Sequence, residues 1–187
     1  MNEREPQHQH EQEPRSDGPR IYAASLSDYN SGRLHGAWIS ADQDADEIGE
    51  DIQKMLRGSP EPGAEEWATH DFEGFGPFHL SEYESLETVA RLGQGIAEHG
   101  SAFAHWAASV GTDPDELDRF EEVYLGQWPS IEEYAEQLLD DLGIDPYEIG
   151  PEMLRPYLSF DLDAFARDLS YELHVSDDHH GVHVFEP

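Results

Sequence analysis

The chain has 187 residues, 42 Asp and Glu against 10 Lys and Arg, a formal net charge of −32 and no cysteine. Charge of that sign repels nucleic acid, anionic membrane and acidic substrates at long range and favours basic surfaces as partners. The missing cysteines exclude disulfides, thiolate chemistry and cysteine-based metal sites. Hydrophobic residues make up 37% and aromatic residues 11%, enough for a core in one ordinary domain or two to three small ones. No apolar run reaches transmembrane length and no basic-then-apolar leader opens the chain, so a cytoplasmic protein without cofactor is the expectation.

Residues 1–19 are polar, rich in Gln, Glu and His and without periodicity, and read as a disordered tail that includes His8 and His10. Residues 20–73 read as an α+β unit. Ile21 to Leu26 and Leu34 to Ser40 are antiparallel strands around a loop, Ser27 to Arg33, that carries Asn30 and Gly32. A helix from Asp42 to Arg57 follows, with Ile48, Ile52, Met55 and Leu56 on one face. Asp42, Asp44, Asp46, Glu47, Glu50 and Asp51 crowd its beginning, where the helix dipole already favours acids. Glu66 to Phe72 reads as a third strand closing a small sheet. Residues 74–122 read as a helical middle, with helices over Leu86 to Glu98, Ala102 to Val110 and Pro114 to Glu122.

Residues 123–187 read as a second α+β unit. Its centre is the stretch FEEVYLGQWPSIEEYAEQLLDDLGI, Phe120 to Ile144. Ile131, Tyr134, Ala135, Leu138, Leu139 and Leu142 recur at helical spacing, Ser130 and Glu133 predict a capping box, and Gly143 predicts the stop. On the other face Glu132, Glu136 and Asp140 align in one row, with Glu133 and Asp141 beside it. Like charges four residues apart destabilise a helix slightly, so this helix gives up stability to hold a comb of carboxylates. From Asp113 to Asp145, Arg119 is the only base among Asp115, Glu116, Asp118, Glu121, Glu122 and the helix acids. A short helix over Glu152 to Leu158, a longer one over Asp161 to Leu173, and a closing hairpin around Ser176 to Gly181 complete the pattern.

Catalytic motifs are scarce. Gly93-Gln94-Gly95 lacks both the preceding strand and the third glycine of a phosphate loop. Ser101 has His99 and His105 nearby but no orienting acid in sequence. His174, Asp177, Asp178, His179, His180 and His183 are the best metal candidates, and a polar turn with surface histidines explains them as well. No metal is assigned. Trp67, Phe72, Phe75 and Phe78 fit a core better than a binding face.

Four segments in order resemble one family. IYAASLSDYNSGRLHGAWI, EEWATHDFEGF with LSEYESLETVARL, the FEEVYLGQWPSIEEYAEQLLDDLGI stretch, and LSFDLDAFARDLSYELHVSDDHHGVHVF resemble successive parts of the ArdA-type antirestriction proteins, from about Arg20 to Phe185. The resemblance implies an elongated, curved α+β protein of three small subdomains, with small antiparallel sheets at both ends, usually dimeric through its C-terminal part. It implies a non-enzymatic DNA mimic that occupies the DNA-binding groove of type I restriction-modification enzymes. The acids that would act jointly are those of 42–51, Asp115 to Glu122 and the 132–141 comb. Two rival readings are a generic acidic or salt-adapted protein that binds basic partners, and a metal-dependent enzyme built on the C-terminal His/Asp cluster.

Overall fold

A computed structural model describes residues 18–187; the expected tail, with His8 and His10, lies outside the described residues except for Gly18 and Pro19. Pro19 is already buried, and its carbonyl accepts the Ala41 N–H at 2.9 Å. The architecture is α+β, with two three-stranded antiparallel sheets separated in sequence by helices. Strand β1 (Arg20–Ser25) lies between β2 (Gly36–Ser40) and β3 (Trp67–Glu73), with Ile21 opposite Ile39 on one side and Phe72 on the other. The second sheet has β6 (Gly181–Phe185) at its centre, flanked by β4 (Tyr124–Trp128) and β5 (His174–Asp178).

The loop expected after β1 is partly helical. Ser25 caps a five-residue helix α1 (Leu26–Asn30), whose own Asp28 is buried. Ser59 donates to the Asp28 carboxylate and Arg33 pairs with it, so one buried charge ties α1 to the linker that precedes β3. Burial opposes ionisation of Asp28, but hydrogen bonds from Ser59 and Ser25, with His35 and Arg33 nearby, outweigh it and hold the carboxyl below its usual value.

Helix α2 (Ala45–Arg57) starts at Asp44, which forms a capping box with Glu47. Its Ile48, Ile52, Met55 and Leu56 are all buried, as the periodicity predicts. Helices α3 (Leu86–His99) and α4 (Ser101–Val110) follow. The expected helix over Pro114 to Glu122 is instead two short ones, α5 (Pro114–Asp118) and α6 (Phe120–Val123), broken at Arg119. This break lets both Leu117 and Phe120 point into the core. Helices α7 (Ile131–Asp141) and α8 (Leu162–Glu172) pack on each other. Between them the expected helix over Glu152 to Leu158 shrinks to a 3₁₀ turn, Arg155–Tyr157, in a segment that holds Pro151 and Pro156.

One continuous apolar cluster runs from Ile21 and Ile39 through Ile48, Val89, Leu92, Phe103 and Trp106 to Phe120 and Phe185. Phe75 is buried within it, and Trp67, Phe72 and Phe78 pack partly buried against it, so these aromatics are core. The Trp106 indole N–H donates to the Glu116 carbonyl at 2.9 Å, which satisfies the one polar atom of a fully buried side chain. No described helix is long and apolar enough to cross a membrane.

Gly93 and Gly95 are packing residues. A Cβ at Gly93 would sit 1.9 Å from the Ala41 carbonyl oxygen, and one at Gly95 would sit 2.3 Å from the Phe103 ring. Gly93→Ala must push α3 off the backbone that follows β2. We expect a loss of about 3 kcal/mol, or roughly 6–12 °C in Tm, read by thermal unfolding. An unchanged Tm would contradict this close approach.

Candidate functional site

Helix α7 shows how the sequence builds a charged edge. The Ser130 hydroxyl oxygen accepts the Glu133 N–H at 3.3 Å and starts the helix. The reciprocal half of the expected capping box is not made by Glu133. A backbone hydrogen bond, with one from the Ser130 side chain second, holds the Glu132 carboxyl below its usual value. At the other end Gly143 has φ +70°, and its N–H bonds the Asp140 carbonyl while Ile144 N–H bonds that of Leu139. That pair of bonds is a Schellman stop.

Ala135 and Leu139 form the buried face of α7, and Ile131, Tyr134 and Leu138 are half-buried beside them. Leu142, expected in the buried stripe, is 63% exposed, because the stop turns the chain away before its side chain reaches the core. Glu132, Glu133, Glu136, Asp140 and Asp141 are all exposed. Glu136 and Asp140 also line a cleft of about 640 Å³ whose apolar side is made by Ile144, Leu158, Phe160 and Leu162.

The other predicted acids divide into those with local work and those without. On α2, Asp44 caps the helix and accepts from Gln94 at 3.0 Å, Glu47 bonds back to the Asp44 N–H, Asp51 accepts from Gln43, and Asp42 takes the Ser40 hydroxyl. Asp118 pairs with Arg91 and Glu116 with Arg119. Asp141 accepts from Gln137 at 2.8 Å. Asp46, Glu50, Asp115, Glu121, Glu122, Glu133, Glu136 and Asp140 form no ion pair among the described residues. Of the predicted acids only Asp51 and Glu116 fall short of full exposure. Most basic side chains among the described residues are spent: Arg20 pairs with Glu73, Arg33 with Asp28 and Glu61, Arg91 with Asp118, Arg119 with Glu116 and Arg155 with Glu148.

The C-terminal His/Asp group does not converge as a set. His174 is exposed against the edge of the Trp106 ring, His179 and His180 are exposed in the tight turn, and Asp177 is exposed. Asp178 and His183 do meet, and their third neighbour is His105 of α4. Sequence reasoning missed that grouping. The available signal was His105 itself, one polar residue in AFAHWAA on a helix buried all round. Burial first, and His183 second, hold the His105 pKa below its usual value. Ser101 Oγ lies 3.4 Å from His183 Nε2, but Asp178 Oδ2 faces the same nitrogen at 3.3 Å and Tyr124 OH occupies Nδ1. A relay triad needs serine and acid on opposite nitrogens, so this grouping is not one.

The family model for the antirestriction protein (ArdA) matches residues 21–184. The chain belongs to this antirestriction family, whose members act on restriction enzymes. A comparison with curated proteins finds no match.

The Ser130 cap links stability to the acidic edge. Ser130→Ala is expected to destabilise the protein by about 1 kcal/mol and to raise the Glu132 pKa toward its usual value. Urea unfolding and a carboxyl-detected NMR titration measure the two effects. A Glu132 pKa that stays put would remove Ser130 from its causes.

Proposed function

We propose that this protein is a non-catalytic DNA mimic whose acidic surface occupies the DNA-binding groove of type I restriction-modification enzymes. The observation that carries this reading is the set of exposed acids on α2, α5, α6 and α7 that have no ionic partner among the described residues, where most arginines are paired elsewhere. Duplex DNA carries one charge per about 1.7 Å of axis, and proteins bind it largely through Lys and Arg contacts to phosphate. Carboxylates on successive turns of α7, about 6 Å apart along the axis, and at the start of α2 offer such a groove the same sign of charge in a sparser row. The cleft beside Glu136 and Asp140 adds an apolar wall against which the stem of an inserted Arg or Lys can lie.

The test is binding of the purified protein to a type I methyltransferase core with a cognate duplex as competitor, repeated at rising salt. Mutually exclusive binding that weakens steeply with salt is expected. Failure to bind cores of several type I families would overturn the reading in favour of a generic acidic protein. Because exposed charges contribute little singly, Glu136→Gln should weaken binding by no more than about fivefold. The combined Glu132→Gln, Glu136→Gln, Asp140→Asn change should weaken it by far more. A single substitution that abolished binding would sink the distributed character of the mimic.

Dimerisation through the C-terminal part belongs to the same proposal, and the closing hairpin offers it little apolar surface. Val182, Val184 and Phe185 are buried within their own chain because β6 is a central strand, and only Leu173 and Val175 are half-exposed. Exposed apolar side chains gather instead in the connection between α7 and α8: Tyr147, Met153, Leu154, Tyr157 and Leu158. Met153→Glu with Tyr157→Glu should give a monomer by sedimentation with an unchanged circular dichroism spectrum. A dimer that survives this pair would exclude the connection as the contact.

A further inference from the structure

Two histidines lie in the core, His105 on α4 at 5% exposure and His183 on β6 at 2%. Their rings meet with centroids 4.7 Å apart and planes tilted by 42°, and the Asp178 carboxylate at the end of β5 approaches His183 Nε2 at 3.3 Å. The ligand-capable atoms of the three lie within 4.8 Å of one another. Two imidazoles and a carboxylate gathered away from water are costly unless they are mutually satisfied or hold a cation.

The outer nitrogens are already committed. Tyr124 OH meets His183 Nδ1 at 3.0 Å, and Ser176 Oγ meets His105 Nδ1 at 2.7 Å. Each ring is thus fixed by an oxygen on one nitrogen, the usual outer-sphere arrangement of histidine ligands, which leaves the other nitrogen as the donor to a metal. We propose that His105, Asp178 and His183 bind one divalent transition-metal ion of zinc type, which fastens α4 to the C-terminal sheet. The donor set of two imidazoles and one carboxylate suits Zn²⁺. Three atoms at most 4.8 Å apart lie within 2.8 Å of a common centre, so each needs to move by about 0.7 Å to reach a Zn–N distance of 2.0–2.1 Å. Ser101 Oγ, 3.4 Å from His183 Nε2, stands beside the fourth position. Asp178 is the least buried of the three, which puts the entry route at the β5–β6 end of the site.

The ion would act structurally. It would join the helix that carries Trp106 to the sheet that carries Phe185, and so set how the C-terminal part sits on the helical middle.

The experiment takes the full-length chain, stripped with chelator, and titrates it with Zn²⁺ alone by calorimetry while Tm is followed. One equivalent bound at micromolar affinity or tighter is expected, with a rise in Tm. Co²⁺ in place of Zn²⁺ should give visible absorption bands of a four-coordinate site. Asp178→Asn, which keeps shape at the accessible edge, and His105→Gln should each weaken binding by at least about tenfold. The surface pair His179→Ala, His180→Ala should leave it intact. If His105→Gln fails to fold, Asp178→Asn alone decides. No Zn²⁺ binding, or binding that survives Asp178→Asn and is lost with His179 and His180, overturns the proposal.

Discussion

With a formal net charge of −32, the folded chain repels itself, and a single continuous apolar cluster is what opposes that repulsion. Aromatic rings concentrate where the cluster reaches the second sheet. Phe185 leaves the centre of the second sheet and lodges against Trp106, Phe120 and Tyr124, with centroid separations of 5.3, 6.3 and 5.3 Å. None of these contacts is ionic, so none weakens with salt as a surface pair would. The sheet that supports α7 is therefore joined to the helical middle by forces indifferent to the charges it carries.

Against that frame, the charges themselves separate into two populations. Asp44, Asp113 and Asp161 cap helices, Asp145 bonds the Tyr147 N–H in its own turn, and Asp28 is buried as a tie between segments. These acids would be present in an ordinary fold. Asp46, Glu50, Glu121, Glu122, Glu136 and Asp140 neither cap a helix nor form an ion pair among the described residues; Asp46, Glu121 and Glu122 sit in first turns that favour an acid, whereas Glu136 and Asp140 repel each other one turn apart on α7. The proposed mimicry rests on this second population, and the division gives an account of why acids should sit where they do.

How much of this was legible in the sequence follows from the range of the interactions involved. Helix α2 and the core of α7 could be read because four or five apolar side chains repeat at the helical period and the caps are local. Helix α1 could not, because a five-residue helix is held by Asp28 and by Ser59, which is remote in sequence. The burial of β6 could not be read either. Val182, His183, Val184 and Phe185 are buried in succession because β6 is the central strand, with β4 and β5 along its two edges and α4 against it, and nothing near residue 183 announces a partner at residue 124. The exposed acids were legible as residues, since charge on an amphipathic helix faces water. The grouping of His105 with His183 was not, because it depends on how a helix and a sheet from different parts of the chain meet.

That meeting has a consequence for the proposed function. A mimic must match the groove in spacing and curvature as well as in total charge, so the relation between α2 and α7 matters as much as their carboxylates. Helix α2 is fixed to the first sheet and to α3, while α7 is fixed to β4 and α8. Among the described residues, the packing that relates them runs chiefly through α3, α4 and the aromatic junction at Phe185. Close packing at this junction permits few alternative arrangements. Gly93 brings α3 against the backbone at Ala41 on one side, and Trp106 and His105 bring α4 against the second sheet on the other. Residues that never touch a partner thereby set the geometry of those that would, and a substitution in this middle layer can alter recognition while leaving every exposed acid in place.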